Sequence, residues 1–422
     1  MGSLRSWWEF PQRARDSSVP IKFKTVGVLV IIGIAVVGLF VELDCTSTAS
    51  KAAKTETPDE ALWRRLKEGP HVKRSTPPDI KLQRVVSPTT EEVARIKRHI
   101  ANLANIEKPD FGLSGTMGGM AFAPVDGSER VTGGFLLANH QLQRSDDFKQ
   151  LVSLGPRALP FLLEALDNKT PTKLKQTHHG GFGGMFLCSE MGSNPTNSIE
   201  QKALASLPKH EIGFPGRLVT DYTVKIGDVC FVIIGQIVGR AYLAVRYQPT
   251  AIIVINSPVE DRALAKAVRD IWSSTNATQR LFQSLRFDYA TEGVFNGEYL
   301  DGWDFASDLQ CQAALRMLYY FPHETTAMIA GLLARLDVRL REGGLTSVIQ
   351  REVANGVRAQ EFIKAVAWSD DPAIRRELLD ILRRTTDPEL LLPALTGFAA
   401  HGGGELVSKR VVEMIAQLPA DE

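Results

Sequence analysis

The stretch from Val229 to Val245, VCFVIIGQIVGRAYLAV, sets the strongest limit on what this chain can become, because it is too apolar to face water over any length. It must lie in a bilayer or in a protein interior. Arg240 decides between them: a guanidinium at a bilayer centre costs about 2.5–3.5 kcal/mol, which cancels roughly six aliphatic residues at about 0.3–0.6 kcal/mol each. Gln236 adds to that cost. The stretch therefore reads as a helix buried at the centre of a globular body. Gly235 and Gly239 let a neighbouring helix approach it, and Arg240 needs a carboxylate or carbonyl partner. Asp221, Asp228 and Arg246 either gather with Arg240 in a polar cluster or divide into a helix cap and a paired core charge.

A second apolar run is free of this conflict. Thr25 to Val41 carries no charge. As a helix it spans ~25 Å, short but sufficient for a hydrocarbon core of ~30 Å. Lys22 and Lys24 stand before it and Glu42 and Asp44 after it. The preceding flank holds five basic residues, Arg5, Arg13, Arg15, Lys22 and Lys24, against Glu9 and Asp16. The basic excess places residues 1–24 in the cytoplasm, the anchor at 25–41 and the bulk of the chain outside, in the periplasm or its equivalent. The competing reading is a signal peptide cleaved near Ser47-Thr48-Ala49 and a secreted product, but the apolar run is longer than such signals use. Residues 42–87, rich in Lys, Glu, Thr and Pro, read as a tether.

Composition narrows the partners. With 49 basic and 48 acidic residues the net charge is +1, so no global field draws in nucleic acid. The cysteines, Cys45, Cys188, Cys230 and Cys311, form no CxxC pair, so neither a zinc framework nor a disulfide framework is visible.

The body from 88 to 422 is dominated by helical periodicity. Val93, Ile96, Ile100 and Leu103 make one stripe, and Phe148, Leu151 and Val152 another. Helices are expected from Ser198, over Val259 to Trp272 and over Thr278 to Arg286. A capping box at Ser307-x-x-Gln310 opens the next, and Pro322 separates it from a further helix through Leu336. Helices follow near Thr346–Ala354, Val357–Trp368, Pro372–Arg384 and Leu390–Phe398, with Glu405–Leu418 as a closing cap whose Lys409, Arg410 and Glu413 face water. Ala251 to Asn256 reads as a short strand or extended core segment, and Val224 and Ile226 as part of an extended piece. Two segments are Gly-rich insertions, 107–140 and 167–197; the glycines of the second, from Gly180 to Gly192, exclude a stable helix and leave a long loop.

Leu154-Gly155-Pro156-Arg157-Ala158-Leu159-Pro160, followed by Leu163 and Leu166, resembles the HEAT/armadillo-type helical repeat. Leu382 to Leu395, with Asp387-Pro388 at its turn and Leu392-Pro393-Ala394-Leu395 beyond, is similar. The resemblance implies a mainly α fold, an irregular α-solenoid of stacked helical hairpins behind one transmembrane helix, and a protein as partner. No period of ~40 residues runs through the body, which departs from a regular superhelix.

Catalytic signatures are sparse. Asp110-Phe111-Gly112 lacks every other kinase element, and His401-Gly402-Gly403-Gly404 lacks a nucleophile elbow to serve, since Gly112-Leu113-Ser114-Gly115-Thr116 fails at its last position. His178, His179 and Cys188 form the one ligand-type grouping, able to hold zinc or copper if a tight loop gathers them, though a fourth ligand is missing. Trp303, Tyr319 and Tyr320 offer an aromatic contact surface or, at helical spacing, simple core. The expectation is a membrane-tethered, extracytoplasmic scaffold that binds protein through 169–197 and 111–134, with no catalysis, no cofactor and no small-molecule substrate. The alternative is a metal-binding protein or enzyme built on His178, His179 and Cys188.

Overall fold

A computed structural model describes residues 73–83, 88–108, 114–115, 122–125, 145–178, 180, 183–208, 216–247, 252–292, 294–296, 306–336, 359–385, 394–395 and 404–415. All belong to one unit, Trp63–Glu422. The expected anchor at Thr25–Val41, most of the Gly-rich insertion 107–140, His179, Trp303, the helix at 346–354 and His401 to Gly403 lie outside the described residues. Among the described residues no helix is long and apolar enough to cross a membrane.

The chain opens with β1 (Lys73–Arg74), α1 (Thr90–Asn102) and β2 (Ser114–Gly115). Thr89 caps α1 through its side chain, Glu91 and Glu92 fill the first turn, and Ile96 and Ile100 are buried. Next come α2 (Asp146–Leu154), a 3-10 turn at Gly155–Arg157, and α3 (Leu159–Glu164), the helix pair that the leucine and proline spacing predicts. His99 and Asn102 of α1 both reach Asp147 at the start of α2, at 2.7 and 3.1 Å.

The segment 167–197 differs from the expected loop. It contains β3 (Pro171–Thr177) and β4 (Gly184–Cys188). In β3, Thr172, Leu174 and Gln176 point inward while the lysines between them point out, a period of two that its polar residues disguise. After α4 (Ser198–Leu204) come β5 (Arg217–Val219) and β6 (Asp221–Lys225), then α5 (Ile226–Val238), β7 (Val245–Tyr247) and β8 (Ile252–Asn256). Strands β3 and β6 pair antiparallel. The others form a mixed sheet in the order β2-β7-β8-β4-β5, in which β4 and β8 run parallel from Gly184↔Ile252 to Cys188↔Asn256. The body is thus mainly helical with an embedded sheet, and the stretch between 167 and 256 is not a stack of helices.

Every residue of α5 is buried. It is enclosed by α1, α2, α3, β6 and α7 (Ala277–Tyr289), the helix that follows α6 (Arg262–Trp272). The expected role of its glycines changes here. Gly239, with φ +75°, ends the helix in the left-handed region, and the chain turns back so sharply that a Cβ on Gly235 would lie 2.6 Å from the Tyr242 Cβ and 2.7 Å from the Arg240 carbonyl oxygen. The approach comes from the chain's own return and not from a neighbouring helix.

Beyond β9 (Thr291–Glu292), which pairs with β1, and the hairpin of β10 (Val294–Asn296) and β11 (Ala306–Asp308), the described chain is helical. Its helices are α8 (Leu309–Tyr320), which packs on α9 (Pro322–Leu333), and then α10 (Ala359–Val366) and α11 (Pro372–Arg384). Helix α8 lies against α10 and α9 against α11. Ser307 sits in β11 and the Gln310 amide donates to the Tyr289 carbonyl oxygen at 2.8 Å, so the expected capping box is replaced by a tie to α7. In α12 (Gly404–Ile415) Arg410 does not face water; it donates to the carbonyl oxygens of Leu382 and Thr385 at the C-terminal end of α11. Residues 73–83, placed in the tether on sequence, dock on the body through β1 and through Arg286, which donates to the Pro78 carbonyl oxygen at 2.7 Å.

Replacing Gly235 with alanine forces a methyl group into backbone at 2.7 Å. We expect a loss of about 1–3 kcal/mol in chemical unfolding, and wild-type stability would mean that the return of the chain over α5 is wrongly placed.

Candidate functional site

A helix buried along its whole length cannot leave its terminal N–H and C=O groups to water, so polar groups of the protein must converge on its two ends. At the N-terminal end of α5, Asp228 accepts the Lys225 backbone N–H at 2.9 Å. Its Oδ2 lies 2.7 Å from the Tyr222 hydroxyl and its Oδ1 2.6 Å from the Ser257 hydroxyl, while those hydroxyls are 2.8 Å apart. Strand β6 supplies Tyr222 and the turn after β8 supplies Ser257. The Lys225 ammonium donates to the Tyr222 hydroxyl at 3.2 Å and pairs with Glu260 at 2.5 Å. That bond holds the Glu260 carboxyl below its ordinary range. Burial pushes the Tyr222 phenol well up, with the Asp228 charge adding to it.

At the C-terminal end Arg240 donates to both oxygens of Glu200 at 2.8 Å and to those of Asp288 at 2.7 and 2.9 Å. All three are buried. Burial opposes the guanidinium charge, but Asp288 and Glu200 outweigh it and hold Arg240 above the usual arginine value. Asn194 completes the set, donating to Asp288 at 2.8 Å while its backbone N–H donates to Glu200 at 2.8 Å. A second buried arginine, Arg316 of α8, donates through Nε to the Gln236 carbonyl oxygen at 2.7 Å and lies over the Phe122 ring at 5.0 Å. Burial lowers its guanidinium to about 10. Two cations therefore sit where the helix carries its negative end.

The partner that Arg240 requires is present as two carboxylates, yet neither is among the acids that sequence proximity offers. Asp228 lies at the opposite end of the helix, ~15 Å away along its axis. Asp221 is exposed, and Arg246 pairs with Glu190 at 2.8 Å. Glu200 and Asp288 are 40 and 48 residues from Arg240 and carry no local signal of their role.

Of the ligand-type residues, the two that are described, His178 and Cys188, are not brought together. The His178 backbone N–H donates to the Thr220 carbonyl oxygen beside the start of β4, while Cys188 is at the other end of that strand. Four residues of strand separate those ends, ~13 Å. His178 Nδ1 accepts the Gly180 N–H at 3.2 Å. Cys188 is a buried thiol pushed up to about 12 by burial and by Glu190, with Arg246 opposing. Among the described residues no group of three or more His, Cys, Asp or Glu is placed to hold a metal ion. Tyr319 and Tyr320 meet Phe122 edge-on, at 5.1 and 5.7 Å between ring centres, so the aromatic pair is packed within the body.

Two surface clefts flank α3. One, of 410 Å³, is lined by Lys97, Ile100, Phe161 and Asn168 among others, and one, of 260 Å³, by Pro160, Arg269 and Trp272 among others. Neither lining includes a member of the two end clusters. No protein-family model, no curated protein and no solved structure matches the chain.

Arg240→Met leaves Glu200 and Asp288 buried without their cation. We expect a loss of about 3–5 kcal/mol at neutral pH in denaturant titration. Neutralising both acids in the same chain, with Glu200→Gln and Asp288→Asn, should restore part of that loss, and no recovery would show that the loss has another source.

Proposed function

We propose that this chain is a membrane-tethered, extracytoplasmic scaffold of stacked helical hairpins that mediates protein–protein interaction and catalyses no reaction. The observation that carries the reading is the order of packing in the C-terminal half. Helix α8 lies on α10 and α9 on α11, so that the first helix of one consecutive pair meets the first of the next and the second meets the second. This layering supports an α-solenoid-like end to the body, which offers an extended surface on its outer helices. Two further features favour binding over turnover. The ionisable groups gathered around α5 are spent on one another in the interior, and the clefts beside α3 hold none of them. The uncharged run Thr25–Val41 with its basic leading flank supports the tether and its direction.

The test uses the full-length chain in its own membrane. A photo-cross-linking residue at Ala327 of α9 or Arg376 of α11, both exposed, should yield adducts dominated by the same protein at both positions. A reporter active only outside the cytoplasm, fused after Glu422, should be active. Adducts scattered over many proteins, or a silent reporter, would overturn the reading.

A further inference from the structure

The oxygens at the N-terminal end of α5 make more contacts than the protons of an ionised site can bridge. Tyr222, Ser257 and the two oxygens of Asp228 make three oxygen–oxygen contacts, at 2.7, 2.8 and 2.6 Å, each of hydrogen-bond length. A tyrosine and a serine hydroxyl bring one proton apiece. With Asp228 ionised, one contact would set lone pair against lone pair in an interior closed to water.

We propose that Asp228 is a neutral acid at physiological pH, its own proton closing a ring in which Asp228 donates to Ser257, Ser257 to Tyr222 and Tyr222 back to Asp228. The remaining bonds fit this direction without a conflict. The Tyr222 oxygen accepts a second bond from the Lys225 ammonium, the Ser257 oxygen one from the Glu260 backbone N–H at 3.1 Å, and Asp228 Oδ2 one from the Lys225 backbone N–H. Each hydroxyl oxygen then accepts twice and donates once, its full capacity.

Strand β6 contributes Lys225, whose ammonium is already matched by Glu260 from the turn after β8. Helix α5 contributes the Cys230 thiol, and the positive end of its dipole favours an ionised acid by about 0.3–2 kcal/mol. The 3-10 turn Ala165–Asp167, which packs on the first turn of α5, carries Asp167, and this is turned to Arg269 at 2.8 Å. Burial of Asp228 is complete, and it raises the carboxyl above its ordinary value against those hydrogen bonds and against Lys225.

The consequence is a pH-sensitive lock at the head of the central helix. In the unfolded chain the carboxyl ionises above about pH 4, while in the folded chain it keeps its proton. The folded state binds more protons, so the lock is fully engaged below that pH and its contribution falls as pH rises through the folded value. Lys225 and Glu260, partly exposed, connect the ring to the surface.

Asparagine at this position reproduces the ring, since its amide N–H donates to Ser257 and its carbonyl oxygen accepts from Tyr222 and Lys225. The full-length chain with Asp228→Asn should therefore fold and match the wild type near pH 4. It should then gain on the wild type by up to about tenfold in the folding equilibrium constant per pH unit above that. An infrared difference spectrum, wild type minus variant at pH 7, should show the carbonyl stretch of a protonated carboxyl group. A variant that fails to fold, one that loses ground as pH rises, or a carboxylate band in the difference spectrum would each overturn the proposal.

Discussion

Burying a helix end to end obliges the protein to satisfy both of its termini from within the interior, and most of what is particular to this structure follows from that obligation. At the head of α5 the Ile226 and Gly227 N–H groups donate to the carbonyl oxygens of Thr170 and Asn168, and the Asp228 side chain is met by Tyr222, Ser257 and the Lys225 backbone N–H. At its foot the carbonyl groups are met by Arg316, and the turn after Gly239 brings Arg240 onto Glu200 and Asp288. Apart from Thr170 and Asn168, the partners come from five different parts of the fold, with Tyr222 and Lys225 sharing β6. The ends of one helix thus hold β6, the turn after β8, α4, α7 and α8 in place, which gives a strong reason for these elements to fold together.

The polar clusters and the apolar packing divide the work. The thirteen residues of α5 form a core against α1, α2, α3 and α7, and their burial is worth about 25 cal/mol per Å² of apolar surface. That attraction is indifferent to direction and register. A guanidinium gripping two carboxylates fixes both, because a shift of α4 or α7 by one residue would leave charges unmatched in the interior. The helices from α8 onward are then built outward on α7, with α8 as the shared layer.

How far this was legible in the sequence depended on the range of the interaction concerned. Helix α11 runs from Pro372 to Arg384 as its spacing predicts, because Asp371, Pro372 and the stripe of Ile374, Leu378, Ile381 and Leu382 are all local signals. The burial of α5, and the need of Arg240 for a partner, followed from hydropathy and the cost of a lone charge. The identity of that partner did not, because Glu200 and Asp288 read as ordinary surface acids of two amphipathic helices. Strand β3 was hidden for another reason: its inward residues Thr172 and Gln176 are polar, and Thr172 is admitted to the interior by its bond to the Val224 carbonyl oxygen at 2.8 Å. His178 and Cys188, ten positions apart in a Gly-rich stretch, read as neighbours until the strand between them is seen to hold them apart.

Amide hydrogen exchange across the folded chain tests most directly whether α5 and its two ends are the centre on which the rest is assembled. The amides from Val229 to Val238 should exchange only through global unfolding, with the same dependence on denaturant as the unfolding of the whole body, while those of α11 and α12 exchange through smaller openings. Exchange of the α5 amides at a free energy well below that of global unfolding, with α11 remaining protected, would contradict the account.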